Sequence, residues 1–280
     1  MIPRVLSIAG SDPSGGAGIQ ADLKAFSALG AYGMAALTAL TAQNTRAVTG
    51  IHPVPPEFIA AQVDAVFDDV AVDAVKVGMV GVAAAAEAVA GCLARHGARN
   101  VVIDPVMVAK SGDRLLDEAA VGAVRDRLVP LATVITPNLP EAGVLLGRPA
   151  PATAEEMREA AIALHRLGPR LVLLKGGHLG GGESPDLLYD GDRFVDLPAA
   201  RVDTPNTHGT GCTLSSAIAA LLPQRATPHQ AVADAKAYVT AAIAAADRLA
   251  VGHGHGPVHH FHAWWGNEAP AQDERKERRA

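Results

Sequence analysis

Short runs of almost wholly apolar residues alternate along the chain with segments whose apolar residues recur at helical spacing. The runs are residues 5–9, 72–77, 101–103, 134–136 and 171–174, and such runs are typical of parallel strands buried on both faces of a sheet. Between them, residues 58–67 have helical periodicity, and Thr153 with Glu156 forms the capping-box signature of a helix start. The alternation predicts an α/β chain with one doubly wound, three-layer α/β/α domain, a central, mostly parallel sheet, and ligands at the carboxyl ends of the strands.

Composition narrows the class of protein. The 280 residues are 49% hydrophobic, enough for a full-sized core. The formal net charge is −5, and the basic residues do not cluster as they do in proteins that bind nucleic acid. Two cysteines are too few for a disulfide framework, and no apolar stretch approaches the length of a membrane span. We therefore expect a cytoplasmic protein without nucleic-acid or membrane partners, with one domain over residues 1–266 and a disordered, charged tail over residues 267–280.

A glycine-rich segment follows the first predicted strand. Residues 10–18 read G-S-D-P-S-G-G-A-G and precede a helix that we predict to begin near Ala21. The spacing matches neither the G-x-G-x-x-G dinucleotide fingerprint nor the Walker A loop, which disfavours a Rossmann dehydrogenase and a P-loop kinase. The segment is either a loop that contacts a ligand or a long turn that needs small residues.

A second glycine cluster, T-H-G-T-G-C-T at residues 207–213, runs directly into an apolar helix predicted for residues 214–222. Glycines before a helix allow several backbone N–H groups to face one anion, and the helix dipole favours the negative charge. A thiol in this position can have its pKa lowered from about 8.5 to roughly 3.5–7.5, which would make Cys212 a base or a ligand. Alternatively, Cys212 is a small residue packed at the helix start, as we expect for Cys92 in its own helix.

Polar side chains follow two other predicted strands. Asp104 closes the run 101–103, while Asn138 and Glu141 follow the run that ends at residue 136. At the carboxyl ends of strands, two acids and an amide suit a Mg²⁺ ion that carries phosphates. Each of these residues taken singly is more simply explained as a helix N-cap or as part of a solvated turn.

Five of the eleven histidines fall within residues 253–262. The tract lacks the spacing of a tetrahedral metal site and has no cysteine nearby. We therefore expect a loop with incidental metal affinity rather than a metal centre.

Six motifs, taken in order, are specific enough to identify a family. They read V-L-S-I-A-G-S-D-P-S-G-G-A-G-I-Q-A-D-L-K, A-L-T-A-Q-N-T, D-P-V-M-V-A-K-S-G, T-P-N-L-P-E-A, L-K-G-G-H and N-T-H-G-T-G-C-T-L-S-S-A-I-A-A. Over residues 2–265 the chain resembles the hydroxymethylpyrimidine/phosphomethylpyrimidine kinases of thiamine biosynthesis, in the ribokinase-like superfamily. The histidine-rich stretch G-H-G-H-G-P-V-H-H-F is similar to the C-terminal segment of that family, so it requires no bound metal.

The resemblance implies a ribokinase-like fold and a phosphotransferase. It implies that ATP, with Mg²⁺, phosphorylates 4-amino-5-hydroxymethyl-2-methylpyrimidine and then converts the monophosphate to the diphosphate. The pyrimidine is expected to lie against Gly10 and Met79, with Asp22 and Gln43 hydrogen-bonding its edge. The amide of Gln43 suits an aminopyrimidine because it offers both a donor and an acceptor. The other implied contacts are to the metal ion (Asp104, Glu141), to the nucleotide (Asn138, Lys175) and to the transferring phosphoryl group (Gly209, Thr210, Gly211, Cys212).

Two other functions stay open from the sequence. Sugar kinases of the superfamily carry a catalytic aspartate where this chain has Cys212, which points away from sugars and leaves the base undecided. The nearest alternative is a pyridoxal or pyridoxine kinase, or a vitamin kinase of dual specificity, because that branch shares the cysteine-bearing loop. An alternative of another class is a catalytically silent vitamin-binding regulator. The presence of intact Asp104, Glu141, Lys175 and Cys212 argues against it. The sequence does not decide the oligomeric state, for which a homodimer is one option.

Overall fold

The computed structural model describes residues 1–107, 118–177 and 185–266. Within these ranges, nine strands form one sheet in the order β3-β2-β1-β4-β5-β6-β7-β8-β9. The six strands from β2 to β7 in that order are parallel, whereas β3, β8 and β9 pair antiparallel at the edges. Their bounds are β1 (Arg4–Ser11), β2 (Tyr32–Gln43), β3 (Val48–Pro53), β4 (Ala74–Val77), β5 (Val101–Ile103), β6 (Val134–Ile135), β7 (Leu171–Lys175), β8 (Asp186–Tyr189) and β9 (Phe194–Leu197).

Helices cover both faces of this sheet. Successive strand residues point to opposite faces, so Leu6 and Ile8 of β1 belong to one hydrophobic core and Val5 to the other. Helices α2 to α6 pack on the first core, and α1, α7 and α8 pack on the second. The predicted three-layer α/β/α architecture is therefore confirmed. The helix bounds are α1 (Gly18–Ala28), α2 (Pro56–Asp69), α3 (Ala83–Arg95), α4 (Glu118–Ala123), α5 (Leu139–Leu146), α6 (Ala154–His165), α7 (Thr210–Leu221) and α8 (Pro228–Ala244).

Local sequence signals locate most of these elements. All five apolar runs contain or lie within strands, and Thr153 caps α6 through the predicted reciprocal bonds with Glu156. Two helix starts were predicted too late, because α1 begins at Gly18 and α7 begins at Thr210. The second difference matters for the site, since it makes Gly209 the N-cap of α7 and places Gly211 in its first turn.

None of the helices in the described ranges is long and apolar enough to cross a membrane. The tail predicted for residues 267–280 lies outside the described residues.

Candidate active site

A cavity of about 780 Å³ opens at the carboxyl edge of the sheet. Its wall includes Gly10 from β1, Asp104 from the segment after β5 and Lys175 from the end of β7. The first turn of α7 completes the wall. The cavity brings together every site residue predicted from the sequence except Asp22, namely Gly10, Gln43, Met79, Asp104, Asn138, Glu141, Lys175, Gly209, Thr210, Gly211 and Cys212.

The Gly10 end of the cavity combines an apolar wall with an amide. A Cβ built on Gly10 would lie 2.5 Å from the Cε atom of Met79, so the absence of a side chain on β1 allows Met79 to approach. The amide of Gln43, at the end of β2, lies 3.5 Å from Nε2 of His208 and 3.3 Å from Oγ1 of Thr41. A thioether and an amide at one end of a cavity suit a flat ring with a hydrogen-bonding edge.

Asp12 and His208, which sequence reasoning did not single out, form a buried pair beside this end. Nε2 of His208 lies 2.8 Å from Oδ2 of Asp12, and their side chains are 11% and 3% exposed. Both residues belong to the motifs that identify the family, and this membership is the sequence signal that could have marked them as site residues. The pair joins the two glycine-rich loops, which are nearly two hundred residues apart in sequence.

The structure corrects the role expected for Asp22. Its carboxylate is fully buried and does not line the cavity. It accepts hydrogen bonds from Ser7 at 2.6 Å, from Ser216 at 2.6 Å and from Lys76 at 2.8 and 2.9 Å. Because these donors occupy its oxygens, Asp22 does not offer them to the edge of a substrate. It holds Lys76, which does line the cavity.

Lys76 carries its charge in the interior. Its side chain and that of Asp22 are both 0% exposed. Burial opposes the charge on the ammonium group, but the neighbouring acidic groups, Asp22 first among them, outweigh burial and raise the pKa of Lys76. The floor of the cavity therefore contains a permanent cation.

Lys175, in the cavity wall, lies between two carboxylates. Its Nζ atom is 3.1 Å from Oδ1 of Asp104 and 4.0 Å from Oε2 of Glu141. Asp104 also accepts a hydrogen bond of 3.1 Å from Oγ1 of Thr136. Burial opposes the charge on Lys175, but Asp104 and Glu141 outweigh it and raise its pKa. This cluster places a fixed cation where phosphate oxygens can reach it.

Asn138 and Glu141 form a capping box at the start of α5. The Asn138 side chain accepts from the backbone N–H of Glu141 at 2.8 Å, and the Glu141 carboxylate accepts from the backbone N–H of Asn138 at 2.8 Å. The N-cap explanation is therefore confirmed for Asn138. The capping role does not exclude a role in the site, because the side chains of Asn138 and Glu141 also line the cavity.

The donors around Glu141 fit a hard divalent cation. Burial raises the pKa of Glu141 to about 7, against the opposing pull of Lys175. Asp104 is 2% exposed, so both carboxylates lack the solvent that normally stabilises their charge. Within the described ranges, no group of three or more His, Cys, Asp or Glu side chains is placed to hold a metal ion. A Mg²⁺ ion held by Asp104 and Glu141 would complete its shell with water and phosphate oxygens, as Mg²⁺ commonly does.

The first turn of α7 lines the cavity beside Lys175. Its N-cap, Gly209, has φ of 78°, and a Cβ there would collide with the carbonyl oxygen of Gly16. A Cβ on Gly211 would lie 3.4 Å from Nζ of Lys175 and 3.5 Å from Oδ2 of Asp104. The N–H group of Thr210 donates to the carbonyl of Thr207 at 3.3 Å, so the N–H groups of Gly211 and Cys212 are the ones that can face an anion beside Lys175.

The expectation of a lowered pKa for Cys212 is wrong. Burial raises the pKa of its thiol to about 11, with Lys76 opposing the shift and the carboxylates of Asp22 and Asp104 adding to it. The thiol is therefore protonated near neutral pH, because desolvation and the acids outweigh Lys76. Cys92 is buried in α3, as its packing interpretation predicts.

The histidine tract braces the α7 loop. His208 donates its backbone N–H to the carbonyl of Gly256 at 2.9 Å, and its own carbonyl accepts from the N–H of Val258 at 3.3 Å. His260 lies 3.0 Å from Oγ1 of Thr213, and burial lowers its pKa to about 3. In the described part of the chain the tract belongs to no group of three or more side chains that could hold a metal ion.

Known proteins resemble the chain over most of its length. A family model described as phosphomethylpyrimidine kinase matches residues 12–259. A hydroxymethylpyrimidine/phosphomethylpyrimidine kinase of Rhizobium meliloti is 58% identical over 93% of this chain and 97% of its own. The Escherichia coli protein of that name is 54% identical, over 93% of this chain and 98% of its own.

Solved structures share the fold. A Bacillus subtilis pyridoxal kinase in complex with ADP superposes with a TM-score of 0.87 at 40% identity, over 95% of this chain and 100% of that one. A phosphomethylpyrimidine kinase from Clostridium difficile has a TM-score of 0.77 at 41% identity, over 86% of this chain and 99% of that one.

Proposed function

The chain belongs to the phosphomethylpyrimidine kinase family, and we propose that it phosphorylates 4-amino-5-hydroxymethyl-2-methylpyrimidine with ATP and then phosphorylates the resulting monophosphate. One observation carries the proposal. A single cavity is lined by an amide and a thioether and also by a lysine that lies between two carboxylates beside a helix N-terminus. A flat acceptor ring and a polyphosphate donor therefore fit in one cavity of about 780 Å³.

The Gly10 end of the cavity is the proposed site for the ring. Gly10 leaves room for Met79 to lie against a flat aromatic face, and Gln43 offers an amide to its edge. A ring seated here directs its hydroxymethyl group toward the first turn of α7, which lines the same cavity. The acceptor oxygen and the phosphate end then meet without rearrangement of the sheet.

Lys175 and the first turn of α7 are the proposed phosphate site. Gly211 lies beside both Lys175 and Asp104, so a γ-phosphoryl group there meets backbone donors and an ammonium group together. These groups stabilise the charge of the transferring phosphoryl group, which is the main requirement of phosphoryl transfer. Asn138, in the adjoining wall, is the proposed contact to the nucleotide.

Asp104 and Glu141 are the residues that would hold Mg²⁺. The ion, when bound, neutralises phosphate charge and orients the polyphosphate for in-line attack. Glu141, whose pKa is raised to about 7, releases a proton on binding a cation. Metal binding and proton release at Glu141 are therefore linked.

The geometry favours the α7 backbone over the Cys212 side chain as the main source of rate. A thiol with a pKa of about 11 is a weak base in the ligand-free protein. The backbone N–H groups of Gly211 and Cys212 donate hydrogen bonds at any pH, because they do not titrate. We therefore assign Cys212 a secondary catalytic role and the anion-binding turn the primary one.

A coupled assay with ATP and the pyrimidine, with the product mass measured, tests the proposed function. We expect the monophosphate first and the diphosphate later. A parallel measurement of kcat/KM with pyridoxal tests the second candidate, which the likeness to the Bacillus subtilis pyridoxal kinase favours. A higher kcat/KM for pyridoxal would replace the proposed substrate, and turnover of neither ring would refute a vitamin kinase.

A further inference from the structure

We propose that Gly254, in the histidine tract, positions the ring-binding amide of Gln43 by holding the turn that follows β2. The inference rests on the proposed function, because the ring is the one assigned above to the Gly10 end of the cavity. Gly254 is a positioning residue in this scheme, and Gln43 makes the contact with the ring. The functional residue of the tract is then a glycine that allows close approach, rather than a histidine that binds a metal.

The tract contacts this turn at Thr45. The N–H of Gly254 donates to Oγ1 of Thr45 at 3.1 Å, and the N–H of His255 donates to the carbonyl of Thr45 at 2.8 Å. A Cβ built on Gly254 would collide with that same carbonyl oxygen. Only glycine therefore lets the two segments approach closely enough to form both hydrogen bonds.

The turn is internally hydrogen-bonded, so it transmits a displacement of Thr45 to Gln43. Within residues 44–47, the side-chain oxygen of Asn44 accepts from the backbone N–H groups two and three residues further on, at 2.8 and 3.2 Å. The N–H of Asn44 donates to the last carbonyl of the turn at 3.1 Å. Gln43 and Val48, which flank the turn, are paired across β2 and β3, and both line the cavity. A shift of the turn therefore moves the wall of the ring site.

The tract itself is anchored and does not retreat from the turn. Val258 is 0% exposed and His259 is 3% exposed, and the backbone N–H of His259 donates to a carbonyl of α8 at 2.9 Å. The N–H of Gly256 donates to Oδ1 of Asn206 at 3.0 Å. The turn, in contrast, lies at the surface. A side chain in place of Gly254 therefore displaces the turn rather than the tract.

A separate bond ties the tract to the α7 loop. The carbonyl of Gly256 accepts from the backbone N–H of His208 at 2.9 Å, and His208 directly precedes Gly209, the N-cap of α7. The tract thus connects the turn beside the ring-binding amide with the loop that leads to the phosphate-binding turn. Because the two connections are made by different residues, a change at Gly254 acts on the ring site while the α7 loop keeps its own bond.

Steady-state kinetics of Gly254→Ala, with each substrate varied in turn, tests the inference. We expect KM for the pyrimidine to rise about tenfold, because the displaced amide loses its hydrogen bond to the ring. We expect KM for ATP and kcat to change by less than about twofold, because the phosphate site is not displaced. Two control variants should keep the wild-type KM values. They are His253→Ala, at an exposed histidine of the same tract, and Gly91→Ala, at an exposed glycine of α3 where a built Cβ meets open space.

A double-mutant cycle with Gln43 separates positioning from general damage to the fold. In the Gln43→Ala background, Gly254→Ala should change KM for the pyrimidine by less than about twofold, because the amide through which it acts is absent. Additive effects of the two substitutions would overturn the inference, as would an equal rise in KM for both substrates.

A second variant keeps the test decisive if Gly254→Ala does not fold. Thr45→Val removes the acceptor of the Gly254 N–H, and a selective rise of about threefold in KM for the pyrimidine is then expected. An unchanged KM in Thr45→Val would in that case overturn the inference. Wild-type enzyme that does not turn over the pyrimidine would overturn the proposed function as well. Normal wild-type turnover with an unchanged KM in Gly254→Ala would overturn this inference alone.

Discussion

Replacement of Lys76 by methionine removes the cation of the buried pair while keeping most of the side-chain volume. Both partners are 0% exposed, so no solvent compensates the charge that remains on Asp22. Only the hydroxyl groups of Ser7 and Ser216 would still donate to that carboxylate. An unpaired buried charge costs about 3–5 kcal/mol of folding stability. At roughly 2–4 °C for each kcal/mol in a chain of this size, Tm should fall by about 6–20 °C.

The pKa of the Cys212 thiol reports on the charges of Lys76 and Asp22 separately from any change in folding stability. Lys76 lowers the pKa of this thiol and Asp22 raises it. Lys76→Met should therefore raise the thiol pKa, and Asp22→Asn should lower it. The assay is the pH dependence of alkylation by iodoacetamide in a Cys92→Ala background, combined with thermal unfolding of each variant. The double variant Asp22→Asn/Lys76→Met should regain at least half of the lost Tm, because no charge is then left unpaired.

The pH dependence of the stability loss follows from the raised pKa of Lys76. A raised pKa contributes stability that is complete below the unfolded value of about 10.4 and is lost as pH rises through the folded value. The Tm difference between wild type and Lys76→Met should therefore stay constant up to pH about 10 and shrink above it. This account of the Lys76–Asp22 pair would be refuted if Lys76→Met and Asp22→Asn shifted the pKa of the Cys212 thiol in the same direction. It would also be refuted if Lys76→Met lowered Tm by less than about 2 °C.

Three further predictions concern the walls of the cavity. Gln43→Ala should raise KM for the pyrimidine by about tenfold and leave KM for ATP unchanged, since one buried hydrogen bond to the ring is worth about 1–3 kcal/mol. Steady-state kinetics with each substrate varied in turn measures both values, and a rise in both KM values together would contradict the prediction. Glu141→Gln should raise the Mg²⁺ concentration needed for activity. The wild-type protein should need less Mg²⁺ above pH about 7 than below it, because a proton on Glu141 competes with the ion. A titration of activity with Mg²⁺ at several pH values checks both predictions. Cys212→Ala should lower kcat by less than about tenfold, whereas a loss of 10²–10⁴ in rapid-quench assays, partly restored by Cys212→Asp, would show that the side chain is the base.

Much of the fold follows from local signals. A strand buried on both faces is nearly all apolar, so β5 and the first four residues of β7 can be predicted from their runs of Val, Ile and Leu. The capping box of α6 is equally local, because its two partners are three residues apart. Strand β2 was missed because only three of its twelve residues are buried and its sequence, with four alanines and one glycine, contains no continuous run of large apolar residues. Its neighbour β3 was missed because an edge strand with one exposed face lacks an apolar run.

The sequence likewise predicts one part of the candidate site, the residue types that line it, and leaves their contacts and protonation to the tertiary structure. Sequence by itself determined which residue types meet at the carboxyl edge of the sheet, because parallel strands with crossover helices bring their following loops together. It could not determine their protonation or partners, which depend on burial and on groups distant in the chain. Cys212 has the helix position of an acidic thiol, but its desolvation and the carboxylates near it raise its pKa. Asp22 stands in a binding motif, yet Lys76, 54 residues away, occupies its oxygens. The bond between Asp12 and His208 spans 196 residues, so only the tertiary structure shows that the two glycine-rich loops meet beside the cavity.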